Sequence, residues 1–181
     1  MDRITRAVLR LWGSVGEDGR LHAKPKFTAE LESHTSKKLD LRAPGVSEWS
    51  YGQQLEHLYL ASHWTFDRLD ESMTGANADE HMNYLGVGMM VGGRSPRHLF
   101  ATIPVLVPQA GTLAEILPLK ERLQKRLDAI DWDMVHIRTG HGRSKHPRMH
   151  FLNSSHWMFF LDIHHRHHLR IMRDIAKKAA A

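Results

Sequence analysis

Cysteine is absent from this 181-residue chain, and that gap removes a disulfide scaffold, thiolate metal sites and a cysteine nucleophile together. Any thiol chemistry must arrive on a bound small molecule. Also missing is an apolar run near the roughly 20 residues a membrane helix needs. The opening residues, Met1-Asp2-Arg3-Ile4-Thr5-Arg6, lead into a few apolar positions interrupted by Arg10, which is not the hydrophobic stretch of a secretory leader. The expectation is a cytoplasmic protein with no membrane partner. Hydrophobic residues at 41% and charged residues at 25%, with a mean hydropathy of -0.43, are the balance of a globular chain rather than a disordered one. The length suits one domain over 1–181 and leaves too little for two comfortable cores.

What is present in excess is histidine, fifteen residues in all, beside a net charge of +5. Both are concentrated at one end. From Met134 onward nine Lys and Arg stand against two acids, and nine of the histidines fall in the same stretch. A pI near 9.7 raises nucleic-acid binding as a class. No recognition motif and no interleaving of basic and aromatic residues supports it, so nucleic acid is not expected as a partner.

Helical signals dominate. Thr28 precedes a short helix over Ala29 to about Leu39–Leu41, broken by Ala43-Pro44-Gly45. Ser50 with Gln53 has capping-box form, and Leu55, Leu58, Ser62, Phe66, Leu69 and Met73 follow at three- and four-residue steps, predicting a long helix over Tyr51–Met73. Residues 75–111, with several glycines and Pro96, Pro104 and Pro108, read as a long connection carrying one short helix near Asn83–Met90. Connections of that length are usually functional or pack as a cover. Thr112 with Glu115 starts a further helix through Ile116, Leu119, Leu123 and Leu127 to Asp131–Asp133, with Pro118 near its beginning. A basic loop with Gly140, Gly142 and Pro147 leads to Asn153, which caps a last helix from Ser154 to about Lys178. With no convincing alternating strand pattern, the fold class is all-α, an antiparallel bundle of about four helices.

On the last helix the inward stripe is Trp157, Leu161, His164, His168, Ile171 and Ile175. His164 and His168 therefore share one face, one turn apart, where two imidazoles can ligate one metal ion. The spacing alone proves little, because fifteen histidines scattered at random give about one such pair. Buried histidines satisfied by hydrogen bonds are the competing reading. His146 and His150 repeat the spacing, but Pro147 argues against a shared helical face. A third ligand must come from another helix. His57 lies near the inward face of the second helix and His63 points elsewhere, so the two cannot both ligate. A boundary histidine is the plainer reading of His57. His167 projects near His164 as a competing ligand, and His150 and His156 are candidates for outer support. Trp157, Phe159 and Phe160 read as core.

Gln54-Leu55-Glu56-His57-Leu58, the His146-Pro147 step, Trp157 and the run His164-His165-Arg166-His167-His168-Leu169-Arg170 together resemble the DinB-like superfamily, also called the YfiT-like metal-dependent hydrolases. The likeness spans about Ser47 to Ile175. It implies an antiparallel four-helix bundle whose metal is held by His57, His164 and His168. The sequence departs from the family at Ile171, where a polar residue is often seen, and at Pro147-Arg148-Met149-His150, which lacks the glycine of the usual motif.

Three imidazoles would leave coordination positions open for water or a substrate atom. Zinc, nickel and iron all suit such ligands. The resemblance implies a metal-dependent transferase using a low-molecular-weight thiol, or a hydrolase, acting on a small molecule, with homodimers common among related bundles. The basic residues Arg143, Lys145, Arg148, Arg166 and Arg170 could attract an acidic cofactor, Arg166 and Arg170 being the candidate cofactor-binding pair. A solvated basic face explains the same charges. The alternative function is a non-catalytic metal-binding or stress-response module with a structural ion.

Overall fold

A computed structural model describes residues 13–15, 21–23, 36–96, 101–129 and 142–180. Its elements in chain order are strands β1 (Gly13–Val15) and β2 (Leu21–Ala23), helices α1 (Ser36–Leu39), α2 (Tyr51–Ser72) and α3 (Tyr84–Gly92), a 3-10 turn at Pro104–Leu106, helix α4 (Leu113–Ala129), strands β3 (Ser144–His146) and β4 (His150–Leu152), and helix α5 (Ser154–Ala179). The described residues are mostly helical, as an all-α chain should be. No described helix is long and apolar enough to cross a membrane.

Local chemistry explains where the helices begin. The Ser50 side chain accepts from the Gln53 backbone N–H while the Gln53 side chain accepts from the Ser50 N–H, which closes the capping box of α2. Asn153 accepts from the His156 N–H at the start of α5, and Asn83 does the same for α3 through Gly86. At α4 the box is half-formed: the Glu115 carboxylate accepts from the Thr112 backbone N–H and from its hydroxyl. Helix α4 runs through Pro118. The residues expected to continue it beyond Ala129, and those of the first helix before Ser36, lie outside the described residues.

Two features differ from the sequence reading. Met73 caps α2 instead of joining its buried stripe, and is 48% exposed. The basic loop contains a hairpin, Ser144 opposite Leu152 and His146 opposite His150, and β1 pairs antiparallel with β2. Strands of three residues are too short to show an alternating pattern. His150 takes a left-handed conformation, φ 64°, at the end of a three-residue loop, a place where glycine is usual. The chain at 81–83 lies against this hairpin: the Asn83 N–H donates to the Met149 carbonyl and its side chain to the Arg148 carbonyl.

Helix α2 packs against both α4 and α5. It runs antiparallel to α5, since His57 meets His164 and His168 while Trp64, farther along, meets Trp157. The core between them includes Leu55, Leu58, Phe66, Leu161, Met172 and Ile175, all essentially buried. Trp157 is fully buried and its indole N–H donates to the Ser144 hydroxyl at 2.7 Å, which ties the hairpin to α5.

Candidate metal centre

His57 from α2 and His164 and His168 from α5 come together, one ligand nitrogen of each lying within 4.8 Å of the others. The Nε2 atoms of His57 and His164 are 3.2 Å apart. For comparison, two imidazoles bound tetrahedrally at the usual zinc–nitrogen length place their nitrogens about 3.3 Å apart. His57 and His168 are buried and His164 is half-buried. The ring of Trp49 covers one side, 5.0 Å from His57 and stacked on His168 at 6.5 Å.

Two of the three rings have their tautomer fixed from behind. The Leu106 carbonyl lies 2.7 Å from His57 Nδ1, and a carbonyl only accepts, so Nδ1 carries the proton and Nε2 presents a lone pair. The Gln54 amide oxygen lies 2.6 Å from His168 Nδ1, with the same consequence. Gln54 cannot turn its amide over freely, because its nitrogen donates to the Ser47 hydroxyl at 2.8 Å. His164 Nδ1 is buried and has no hydrogen-bond partner among the described residues. Its proton is therefore free to sit on Nε2, donating to His57, or to move to Nδ1 when Nε2 binds a cation. Burial holds the His57 pKa down at about 4, and burial with the neighbouring imidazoles holds His164 and His168 well below the ordinary histidine value. All three are neutral near pH 7, as ligation requires.

The Leu106 carbonyl is itself held in place by α2. Glu56, buried, accepts from the Gln109 and Gly111 backbone N–H groups at 2.9 Å each, and the Gln53 side chain donates to the Gln109 carbonyl at 2.7 Å. Burial pushes the Glu56 carboxyl up from its usual range, and these two donors pull the other way. The loop comes so close that a Cβ on Gly52 would lie 2.1 Å from the Gly111 oxygen. Thus Gln53, Gln54, Glu56 and His57, one turn of helix, each contribute a polar contact around the site. In the sequence Gln53 is marked only as half of a capping box, and of the four only His57 as a ligand. The available signal was a run of polar residues on a helix whose stripe is otherwise apolar.

Among the described residues, no other histidine joins the three ligand nitrogens. His63 donates through Nε2 to the Leu119 carbonyl of α4 at 3.0 Å. His167, the anticipated competitor, approaches the Ser95 carbonyl through Nδ1 at 3.1 Å. His165 donates to the Ser62 hydroxyl, which gives its own proton to the Leu58 carbonyl. His150 is exposed on the hairpin, and His156 lines a separate surface pocket with Phe159.

A cavity of about 160 Å³ opens beside the cluster, lined by all three histidines and by Ala61, Phe160 and His146 among others. Ser95, Pro96 and residues 101–103 form part of its wall, so the long 75–111 connection does border the site. Phe160, expected as core, is half-buried and faces this space. The two arginines expected to attract an acidic cofactor are elsewhere. Arg166 pairs with the buried Asp162 at 3.0 Å, Arg170 is exposed, and neither lines the cavity. Their positions on α5 place them off the histidine face; Arg148 is the lining arginine.

No family model matches the chain, and neither a curated protein nor a solved structure shows significant similarity to it.

Proposed function

We propose that this is a divalent-metal protein of the DinB-like, four-helix-bundle kind that acts on a small molecule, as a transferase using a low-molecular-weight thiol or as a hydrolase. One observation carries the reading. Two imidazoles have their Nδ1 protons committed to fixed oxygen acceptors, so their remaining lone pairs are available at a point that a third imidazole also reaches. Core histidines would be hydrogen-bonded through Nδ1 as well; the convergence of three ring nitrogens within 4.8 Å of one another is what favours ligation.

Among the described residues the cluster has three possible ligands, and the adjoining cavity reaches it. A structural ion is ordinarily enclosed by four protein ligands, whereas a catalytic one keeps a position for an outside atom. This favours the catalytic reading over a stress-response module with a structural ion. A divalent cation held there would supply Lewis acidity toward a substrate oxygen or stabilise an incoming thiolate. The chain itself fixes ligand orientation through Leu106 and Gln54, limits water through Trp49 and Phe160, and offers apolar walls to the substrate body. Zinc, nickel and iron all fit an imidazole set.

X-ray absorption on the metal-loaded protein tests this reading. Three imidazole nitrogens plus an exchangeable light ligand are expected; four protein ligands would instead favour a structural ion.

A further inference from the structure

The cavity has a second polar end that the histidine cluster does not use. Along α2, His57, Ala61 and Thr65 succeed one another at one-turn intervals, so Thr65 lies about 12 Å from His57 along the axis. On α5 the sequence His168, His164, Phe160 runs beside it in the opposite sense. Thr65 lines the cavity, is 1% exposed, and its hydroxyl has no hydrogen-bond partner among the described residues. A helical threonine commonly bonds its hydroxyl to the carbonyl four residues back, as Ser62 does; Thr65 does not.

His146 stands at the same end. Its ring is 4.8 Å from Phe160 and 5.9 Å from Trp64, both edge-on, and Phe160 is in turn 5.6 Å from His164. His146 Nδ1 accepts from the backbone N–H groups of Arg148 and Met149 at 3.1 Å each. An accepting Nδ1 requires a neutral ring with its proton on Nε2. That Nε2–H has no protein acceptor among the described residues, and the residue lines the cavity.

We propose that the His146 Nε2–H and the Thr65 hydroxyl bind an uncharged acceptor, a carbonyl oxygen, on the substrate. The substrate would then carry a metal-ligating head, a short apolar middle against Ala61 and Phe160, and a ketone, ester or amide carbonyl at its far end. Both donors are neutral and offer one proton each, which suits a carbonyl, while the Arg148 guanidinium that also lines the cavity is solvent-exposed. Leaving the buried Thr65 hydroxyl unmatched is costly for a protein, and a ligand carbonyl that also accepts from the cavity-facing His146 Nε2–H satisfies it. This inference rests on the metal reading above, because the head group needs an ion to bind.

The test uses the zinc-loaded full chain and two probe series, ω-mercaptoalkyl acetamides with about two to four methylenes and n-alkanethiols of matched length, measured by calorimetry. The expected result is that Thr65→Val and His146→Asn each lower the preference for the amide probe by about tenfold, with alkanethiol affinity unchanged. Thr65→Val should also raise the melting temperature, since it replaces an unpartnered hydroxyl with a methyl. His146→Asn keeps an acceptor near the hairpin N–H groups. Wild-type preference retained in both zinc-bearing variants overturns this inference and leaves the metal reading standing. A wild-type chain that holds no zinc overturns both.

Discussion

The Gln54 amide oxygen sits 2.6 Å from Nδ1 of His168, joining the first turn of α2 to the middle of α5 through a contact that serves the ring rather than the core. Ser47 accepts from the Gln54 amide nitrogen and so sets which end of the amide faces the histidine. Gln54→Leu should lower metal affinity 10- to 100-fold, the usual loss when a ligating histidine is deprived of its backing partner. Competition with a chromogenic chelator measures this, and the helical circular dichroism should be unchanged. Affinity equal to wild type would mean that His168 does not depend on Gln54.

Glu56 makes a different prediction, about stability as well as the site. Glu56→Gln replaces one acceptor oxygen by an amide nitrogen that cannot accept from the Gln109 or Gly111 N–H. A loss of roughly 1–3 kcal/mol is expected in urea unfolding, with weakened metal binding because the Leu106 carbonyl behind His57 is carried by the same loop. Gly52→Ala should be worse, since its new methyl would collide with backbone.

Acid should destabilise the metal-free protein. Burial lowers His57 and His146 from 6.5 to about 4 and His165 to about 3. Each group binds its proton more readily unfolded than folded. Its contribution is therefore complete above about pH 6.5 and is lost as pH falls toward 4. A histidine shifted this far accounts for on the order of 3 kcal/mol across that window. Urea midpoints measured from pH 7.5 down to 4.5 should fall, and His146→Asn should flatten the dependence. A midpoint constant over this range would contradict the buried neutral state of these rings.

Much of this architecture is legible in the sequence because its signals are local. Ser50 with Gln53, Asn83 and Asn153 mark helix starts that the backbone then uses, and the stripe through Trp157, Leu161, His168, Ile171 and Ile175 is buried on α5. The face shared by His164 and His168 follows from spacing; rotation around α2 says only that His57 and His63 cannot both ligate, and His57 as the third ligand is what the family resemblance implies. What the sequence conceals is long-range. The Leu106 carbonyl reaches His57 across 49 positions, and a backbone oxygen has no sequence signature. Glu56 resembles any helical acid until the 109–111 loop closes on it. The hairpin at 144–152 escapes because its strands are three residues each, and Arg166 is diverted to Asp162 by a partner one turn away.

The most direct measurement is the metal content of the purified protein beside His57→Ala, His164→Ala, His168→Ala and a His63→Ala control, whose ring points to α4. The expected result is about one divalent ion per chain in the wild type and control, and little or none in the three ligand variants. Equal metal in all five preparations, or none in the wild type after loading, would contradict a site built on His57, His164 and His168.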